Sequence, residues 1–376
     1  MRLGLVTGEA SGDLIVRDAL VGLSQRHPQL ALEGVGGPAL SELGMDCWAS
    51  SEALAVRGYV EVLQRLPSLL RLRSSLAERW LQRPPALFLG VDAPDFNLSL
   101  EARLKAAGIL TAHLVSPSIW AWRPERVHQI ARSVDHMLCL FPMEPALYAG
   151  TGVTPHYVGH PLADLVPATP MGASRSATRP VLALLPGSRQ AEIARLGPIF
   201  LEVARAFSTT HQLLLPVASE ATRAQIQQLP NYPQLRDLGL VLMGPESPEP
   251  GRPASHLVLE AASLALVASG TATLEAALYG VPQVVAYQVP WLTEKLMRRK
   301  AIVQHVSLPN LLLGRALVPE FLQAECEPRA LGLALRAWQD DPARVAAYQE
   351  DCLQLLHSLR RGAAGQVAAT LEELLG

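Results

Sequence analysis

Apolar residues arrive along this chain in two rhythms. Short runs such as Leu3–Val6, Ala86–Gly90, Thr111–Val115, Met137–Leu140, Val181–Leu185, Gln212–Val217, Leu240–Met243, Leu264–Ala268 and Val284–Tyr287 have the length and content of buried strands. Longer stretches of helical period lie between them. Strand and helix alternate, which predicts parallel sheets covered by helices on both faces. The stretch 166–180, with Pro167, Pro170, Gly172, Ser174, Ser176 and Pro180, reads as a linker, and the same rhythm restarts after it. The tail from Pro328 onward is helical and rich in Ala, Leu and Arg.

The clearest unit runs from Leu264 to Tyr287. A strand over Leu264–Ala268 meets a turn at Ser269, Gly270 and Thr271; a helix over Thr271–Leu278 is stopped by Gly280, and a strand follows Pro282. Such a turn aims the unpaired N–H groups of the helix at the carboxyl end of the sheet, where the macrodipole adds positive potential. Gly270 lets a bound anion approach the backbone, and Ser269, Thr271 and Thr273 carry hydroxyls, so the unit suits a diphosphate. Glu275, one turn on, is placed to accept from a ribose diol. A plain helix cap with an exposed Glu explains the same letters. Leu185 is followed by a second anion loop, Pro186-Gly187-Ser188-Arg189, in which Arg189 adds fixed charge.

The first half repeats the plan. Leu3–Val6 leads into Gly8-Glu9-Ala10-Ser11-Gly12-Asp13 and a helix to Gln25, which places Glu9, Ser11 and Asp13 at a carboxyl edge or simply caps the helix. Asp92 and Asp95 follow the strand Ala86–Gly90; either could serve as a general base, and Asp95 could instead cap the next helix, so Asp92 is the better candidate. Trp120, Trp122 and Arg123 stand in a Pro-rich loop, suited to a sugar or acyl chain and a phosphate, or to packing the loop itself. Gly34-Val-Gly36-Gly37-Pro38-Ala39 fits a dinucleotide fingerprint by letters, but Pro38 sits in the phosphate turn and the helix ends by Gly44. His156 and His160 are four apart among Pro155, Gly159 and Pro161, which exclude the helix a shared metal would need. No metal site is expected.

Composition narrows the setting. The chain has 376 residues, enough for two domains, and a formal net charge of −2, which carries no nucleic-acid signature. Hydrophobic residues make up 49%, yet no run reaches a membrane span. The start does not read as a signal peptide, because Leu3–Val6 is too short and Glu9 follows; four scattered cysteines fit a reducing compartment. Within Val60–Arg83 an apolar stripe including Leu66, Leu69, Leu70 and Leu72 is interrupted by Pro67 and flanked by Arg65, Arg71, Arg73, Arg79 and Arg83. It is either a core-facing helix with a basic outer side or an amphipathic element resting on anionic lipid. Lys295–Lys300 adds four positive charges beside Leu296 and Met297, and Pro245–Pro253 forms a Pro-rich loop.

Seven motifs in order resemble the lipid-A-disaccharide synthase family: Gly8–Asp13, Asp92–Asn97, Val115–Arg123, Gly159–Asp164, Leu184–Arg189, Ser269–Glu275 and Ser307–Asn310. The resemblance implies an α/β fold of GT-B type, two Rossmann-like parallel-sheet domains facing a cleft. On that plan residues 1–165 form the acceptor and membrane-facing domain, 166–180 the linker and 181–345 the UDP-sugar domain. Helices of 346–376 return to the first domain or swap in a dimer. It implies an inverting glycosyltransferase that joins UDP-2,3-diacylglucosamine to 2,3-diacylglucosamine 1-phosphate, giving the β-1,6 disaccharide and UDP, with no cofactor. Asp92 and Glu9 would be catalytic. Gly187, Ser188, Arg189, Ser269, Gly270, Thr271, Glu275 and Asn310 would bind UDP, and Ser11, Trp120, Trp122 and Arg123 the acceptor. Leu66, Leu69, Leu70, Arg71, Leu72 and Arg73 would touch the membrane. The implied partners are acylated glucosamine substrates and the anionic inner face of the cytoplasmic membrane, with a homodimer as an option and no nucleic acid. A UDP-sugar epimerase of the same fold and a non-catalytic nucleotide-sugar binder are the alternatives.

Overall fold

A computed structural model describes residues 1–8, 10–54, 59–121, 123–167, 179–245, 252–291, 294 and 304–376, and omits the side chains of Ala10, Ser11, Leu14 and residues 59–64. Glu9, Trp122, linker residues 168–178, residues 246–251 of the Pro-rich loop and the basic stretch 295–300 lie outside the described residues. The chain divides into two compact units. One comprises Met1–Leu165 with Ser358–Gly376, the other Val166–His357.

The first unit holds seven parallel strands: β1 (Arg2–Thr7), β2 (Ala31–Gly36), β3 (Asp46–Ser50), β4 (Leu87–Val91), β5 (Thr111–Leu114), β6 (His136–Cys139) and β7 (Thr154–Tyr157), in the order β3-β2-β1-β4-β5-β6-β7. The second holds β8 (Val181–Leu185), β9 (Gln212–Pro216), β10 (Leu240–Met243), β11 (Leu264–Ala268), β12 (Gln283–Tyr287) and β13 (Glu320–Leu322), in the order β10-β9-β8-β11-β12-β13. Both orders reverse direction once, between β1 and β4 and between β8 and β11. Open α/β sheets bind ligands outside the carboxyl ends of the strands at such a reversal. The loops after β1, β4, β8 and β11 are those singled out by their residue content.

Central strands are fully buried, as their unbroken apolar runs require. In the first unit the helices Ala10–Arg26 and Ala363–Leu375 cover one face, where Leu20, Leu23, Val367 and Leu371 join Leu3, Leu5, Leu87 and Leu89. The other face meets Leu76, Ala77 and Trp80 of the helix Tyr59–Gln82 and Leu100 and Leu104 of the helix Pro94–Ala106. Trp80 packs between Trp48 and Phe88 and donates its N–H to Glu33 Oε1 at 3.1 Å.

The helix Tyr59–Gln82 runs through Pro67 without a break, which corrects the interruption expected there. Its two halves live in different surroundings: Leu76, Ala77 and Trp80 are buried, while Leu66 and Leu70 are 41% and 42% exposed. The core-facing reading therefore holds for the C-terminal half of the helix, while the N-terminal half leaves Leu66 and Leu70 open to solvent. Leu72 is partly buried against the core rather than open to solvent, and Leu69 and Arg73 are half-buried. The boundary expected at 346 falls inside the helix Pro342–Leu359, and contacts place the change of unit at Ser358. Among the described residues no helix is long and apolar enough to cross a membrane.

Candidate functional site

In the second unit the loops after β8 and β11 close around a pocket of about 480 Å³. Gly187, Ser188, Arg189, Ser269, Gly270, Thr271 and Glu275 all line it, with Glu192, Ala254 and Ser255. Gly187 and Gly270 have φ of 109° and 147°, a region closed to most side chains, and so the turns can present backbone N–H groups to the cavity. Among the described residues no side chain caps the helix Thr271–Leu278 at Gly270, which leaves the N–H groups of its first residues for a ligand. The Arg189 side chain is 78% exposed and leans on Glu192 Oε1 at 3.3 Å, a weak screened contact that an anion can replace.

Three expectations on this side change. The Ser269 hydroxyl donates to Val306 O at 2.7 Å. The Thr273 hydroxyl is buried, donates to Gly270 O at 2.8 Å and accepts from Leu308 N. Both hydroxyls are engaged by the protein's own backbone, although Ser269 still lines the pocket. Asn310 does not line the pocket: it is fully buried, its Oδ1 accepts from Leu317 N and Val318 N, and its Nδ2 donates to Val318 O at 2.9 Å. Its amide ties the segment that enters β13. Glu275 stands at the pocket wall with its carboxyl pushed up by burial and a hydrogen bond from Ser255 working against that shift.

In the first unit Asp92 ends β4 in a left-handed conformation, φ 52°, and Ala93 follows at 44°. Left-handed residues other than glycine cost of order 1–3 kcal/mol each and collect at functional sites. Among the described residues there are five, and four of them, Asp92, Ala93, Val115 and Arg123, lie in the loops after β4 and β5. The Asp92 turn is held from below. Asp92 N donates to Leu114 O, and the buried Asn97 amide donates to Asp92 O at 2.8 Å and, more weakly, to Val91 O and Val6 O at 3.4 Å. Gly8 presses on the same turn, since a Cβ there would overlap that of Ala93. Asp95 is 90% exposed and pairs with Arg126 at 2.8 Å, and the helix Pro94–Ala106 has Ala93 at its cap. Asp95 is thus neither cap nor buried base.

Asp13 is buried and hydrogen-bonded by Thr7 Oγ1 and the Gly37 N–H; burial pushes its carboxyl up against both. A Cβ on Gly37 would overlap the Asp13 carboxylate, which explains the Gly36-Gly37 pair without a dinucleotide. Ser11 lies in the first turn of the helix Ala10–Arg26. In the loop after β5, Ser116 Oγ meets Tyr148 OH at 2.7 Å, and Trp120 stands edge-on to Phe141 at 6.2 Å. Phe141 in turn faces His160 at 5.2 Å. His160 is buried, accepts from Leu162 N and is pushed down to about 4, so it is neutral near pH 7. His156 pairs with His136 at 3.0 Å instead. Beneath this loop Glu144 is buried, accepts from Phe141 N at 3.0 Å and is pushed up to about 7. Among the described residues no group of three or more His, Cys, Asp or Glu is disposed to hold a metal ion.

The family model for lipid-A-disaccharide synthetase matches residues 3–371. A lipid-A-disaccharide synthase of Thiobacillus denitrificans is 45% identical over 379 aligned residues, covering 99% of each chain. The chain belongs to the lipid-A-disaccharide synthase family. A synthase of Neisseria gonorrhoeae is 42% identical over 99% of this chain and 96% of its own. The chain is accordingly a glycosyltransferase of lipid A biosynthesis. Among solved structures, the UDP-GlcNAc 2-epimerase of Neisseria meningitidis bound to UDP-GlcNAc matches with a TM-score of 0.62 at 13% identity, covering 100% of this chain and 99% of that one. The glycotransferase of kitacinnamycin matches with a TM-score of 0.60 at 15% identity over the same shares. At such identities the likeness shows the GT-B fold and not the reaction, so the epimerase alternative gains nothing from it. Asn97 and Glu144 escaped the sequence reading of this synthase-family chain. Asn97 stands inside a quoted motif, whereas no pattern in the sequence marks Glu144.

Proposed function

We propose that the pocket of the second unit binds the UDP portion of UDP-2,3-diacylglucosamine and that Asp92 is the base for the acceptor. The acceptor is 2,3-diacylglucosamine 1-phosphate. Asp92 takes the proton of its 6-hydroxyl as that oxygen bonds to the anomeric carbon of the donor. The bond from that carbon to the diphosphate oxygen breaks on the opposite side, which inverts the configuration and releases UDP. Arg189, the backbone of Gly187 and Ser188, and the N-terminus of the helix Thr271–Leu278 receive the charge that develops on the diphosphate. Glu275 accepts from the ribose hydroxyls. The loop bearing Trp120 and Arg123 flanks the acceptor, with Ser11, and Glu9 and Trp122 belong to the same loops by sequence.

The single observation that supports this reading most is the meeting of two anion-binding loops, from β8 and β11, around one cavity at the reversal of the sheet. The exposed half of the helix Tyr59–Gln82, with Leu66, Leu70 and Arg71, supports a peripheral seat on the anionic inner face of the cytoplasmic membrane, where acylated substrates reside. The test is release of UDP from UDP-2,3-diacylglucosamine in EDTA, with and without acceptor. Acceptor-dependent release in chelator is expected. Retained UDP binding with no release from either mixture would move the assignment to a nucleotide-sugar binder.

A further inference from the structure

Behind the pocket wall lies a buried imidazole with no hydrogen-bond partner among the described residues. His256, in the helix Ala254–Ala261, is 1% exposed, and among the described residues neither Nδ1 nor Nε2 has a hydrogen-bond partner. Buried polar atoms are nearly always paired, and an orphan calls for a reason. Among the described residues its nearest acidic neighbour is Glu275, whose Oε2 is also buried and without a partner there, 3.8 Å from His256 Nε2. The gap exceeds a hydrogen bond by less than one ångström. Tyr279 packs edge-on against the imidazole at 5.5 Å and fixes the plane of the ring. Ser255, the residue before His256, lines the pocket and hydrogen-bonds Glu275. Burial and the charge of Arg252 hold His256 neutral, pushed down to about 4, so it offers one N–H.

We propose that His256 is a positioning residue for Glu275, holding that carboxylate from behind so that it accepts both ribose hydroxyls and selects ribonucleotides over 2′-deoxyribonucleotides. The inference rests on the assignment of the pocket to UDP. A carboxylate free to turn serves one hydroxyl as well as two. One anchored at Oε2 by an N–H from the far side keeps its remaining lone pairs directed at the diol. Closing the 3.8 Å gap when the ribose arrives also gives the buried nitrogen its missing partner.

The experiment compares dissociation constants of UDP and 2′-deoxy-UDP for the full chain and for Glu275→Gln, His256→Phe and His256→Gln. Phenylalanine keeps the ring against Tyr279 and removes the donor; glutamine reaches the Nε2 position with an N–H. The wild type should prefer UDP by about tenfold or more, the size of one hydrogen bond to a charged group. His256→Phe should lose most of that preference through UDP alone, and His256→Gln should keep it. Equal weakening of both nucleotides by His256→Phe, or an unchanged preference, would overturn the role of His256. A wild type that binds neither nucleotide, or a preference untouched by Glu275→Gln, would instead overturn the assignment of the pocket. If His256→Phe does not fold, His256→Leu is read in the same way, because the ratio of the two constants is independent of how much protein is folded.

Discussion

The Asn97 amide donates to the carbonyl of Asp92 at 2.8 Å, from a side chain with no exposure to solvent. Two successive left-handed residues, Asp92 and Ala93, are thereby held at the end of β4 with the carboxylate at the sheet edge. Asn97→Leu keeps the volume and removes the donor. Turnover should fall by about ten- to a hundredfold with UDP affinity unchanged, and stability by about 1–3 kcal/mol for the carbonyls left unmet. Asp92→Asn should cost turnover about 10²–10⁴-fold, the scale of a general base, while leaving both UDP binding and melting temperature in place. Steady-state kinetics beside a UDP titration separates the two effects. Loss of UDP affinity in either variant would contradict the division of labour between the units.

Glu144 gives the first unit a pH dependence of stability. Its carboxyl is pushed up to about 7 from an ordinary value of 4.5, because burial penalises the charged form. The folded state therefore holds this proton more tightly than the unfolded state. The favourable contribution is complete below the unfolded value and is lost as pH rises through about 7. Glu144→Gln still accepts from Phe141 N and cannot titrate. Between about pH 5 and about pH 8 its free energy of unfolding should fall less than that of the wild type, by an amount on the order of 1–3 kcal/mol. Parallel pH profiles for the two proteins would refute this assignment.

The helix Tyr59–Gln82 offers a second handle. Leu66→Ser and Leu70→Ser with Arg71→Glu alter exposed positions and leave Leu76 and Trp80 in the core. The triple variant should stay folded, with the same far-ultraviolet circular dichroism, and should no longer sediment with vesicles containing anionic lipid. Binding to neutral vesicles should be weak for both proteins, since basic residues near a surface contribute about 1 kcal/mol each only where lipid is anionic. Undiminished sedimentation of the variant would remove this helix from the membrane.

Leu371, in the last helix, is fully buried among Leu20, Leu23 and the strands of the first sheet. Leu371→Ala should lower stability by about 2–5 kcal/mol, as expected when a large side chain leaves a cavity. Hydrogen exchange should locate the loss in the first unit. Exchange quickened in Val166–His357 instead would show that the helix supports the other unit.

Sequence pattern revealed most strands of both sheets, the outermost β10 among them, and missed the other three outermost strands. Leu264–Ala268 and Thr271–Leu278 are legible to the residue, because a strand buried on both faces is uniformly apolar and Gly270 and Gly280 punctuate the helix. β3, β7 and β13 are outermost strands; half-exposed and mixed in character, they carry no apolar run. Polar loop residues mislead in the other direction. Asn310 looks like a ligand and is a buried tie for β13. Gly37 looks like part of a phosphate turn and makes room for Asp13. His256 stands alone in Ser-His-Leu-Val-Leu, and only the fold brings Glu275 behind it.

The first unit is assembled from both ends of the chain, Met1–Leu165 and Ser358–Gly376. A ribosome delivers these pieces far apart in time. While the second unit is being synthesised, Leu20 and Leu23 lack the helix that covers them, and apolar surface stays open on the nascent protein. The half of the molecule made first is thus the half completed last. A chain cut after His357 would keep the second unit and its pocket whole and leave the first unit, with Asp92, without the helix Ala363–Leu375.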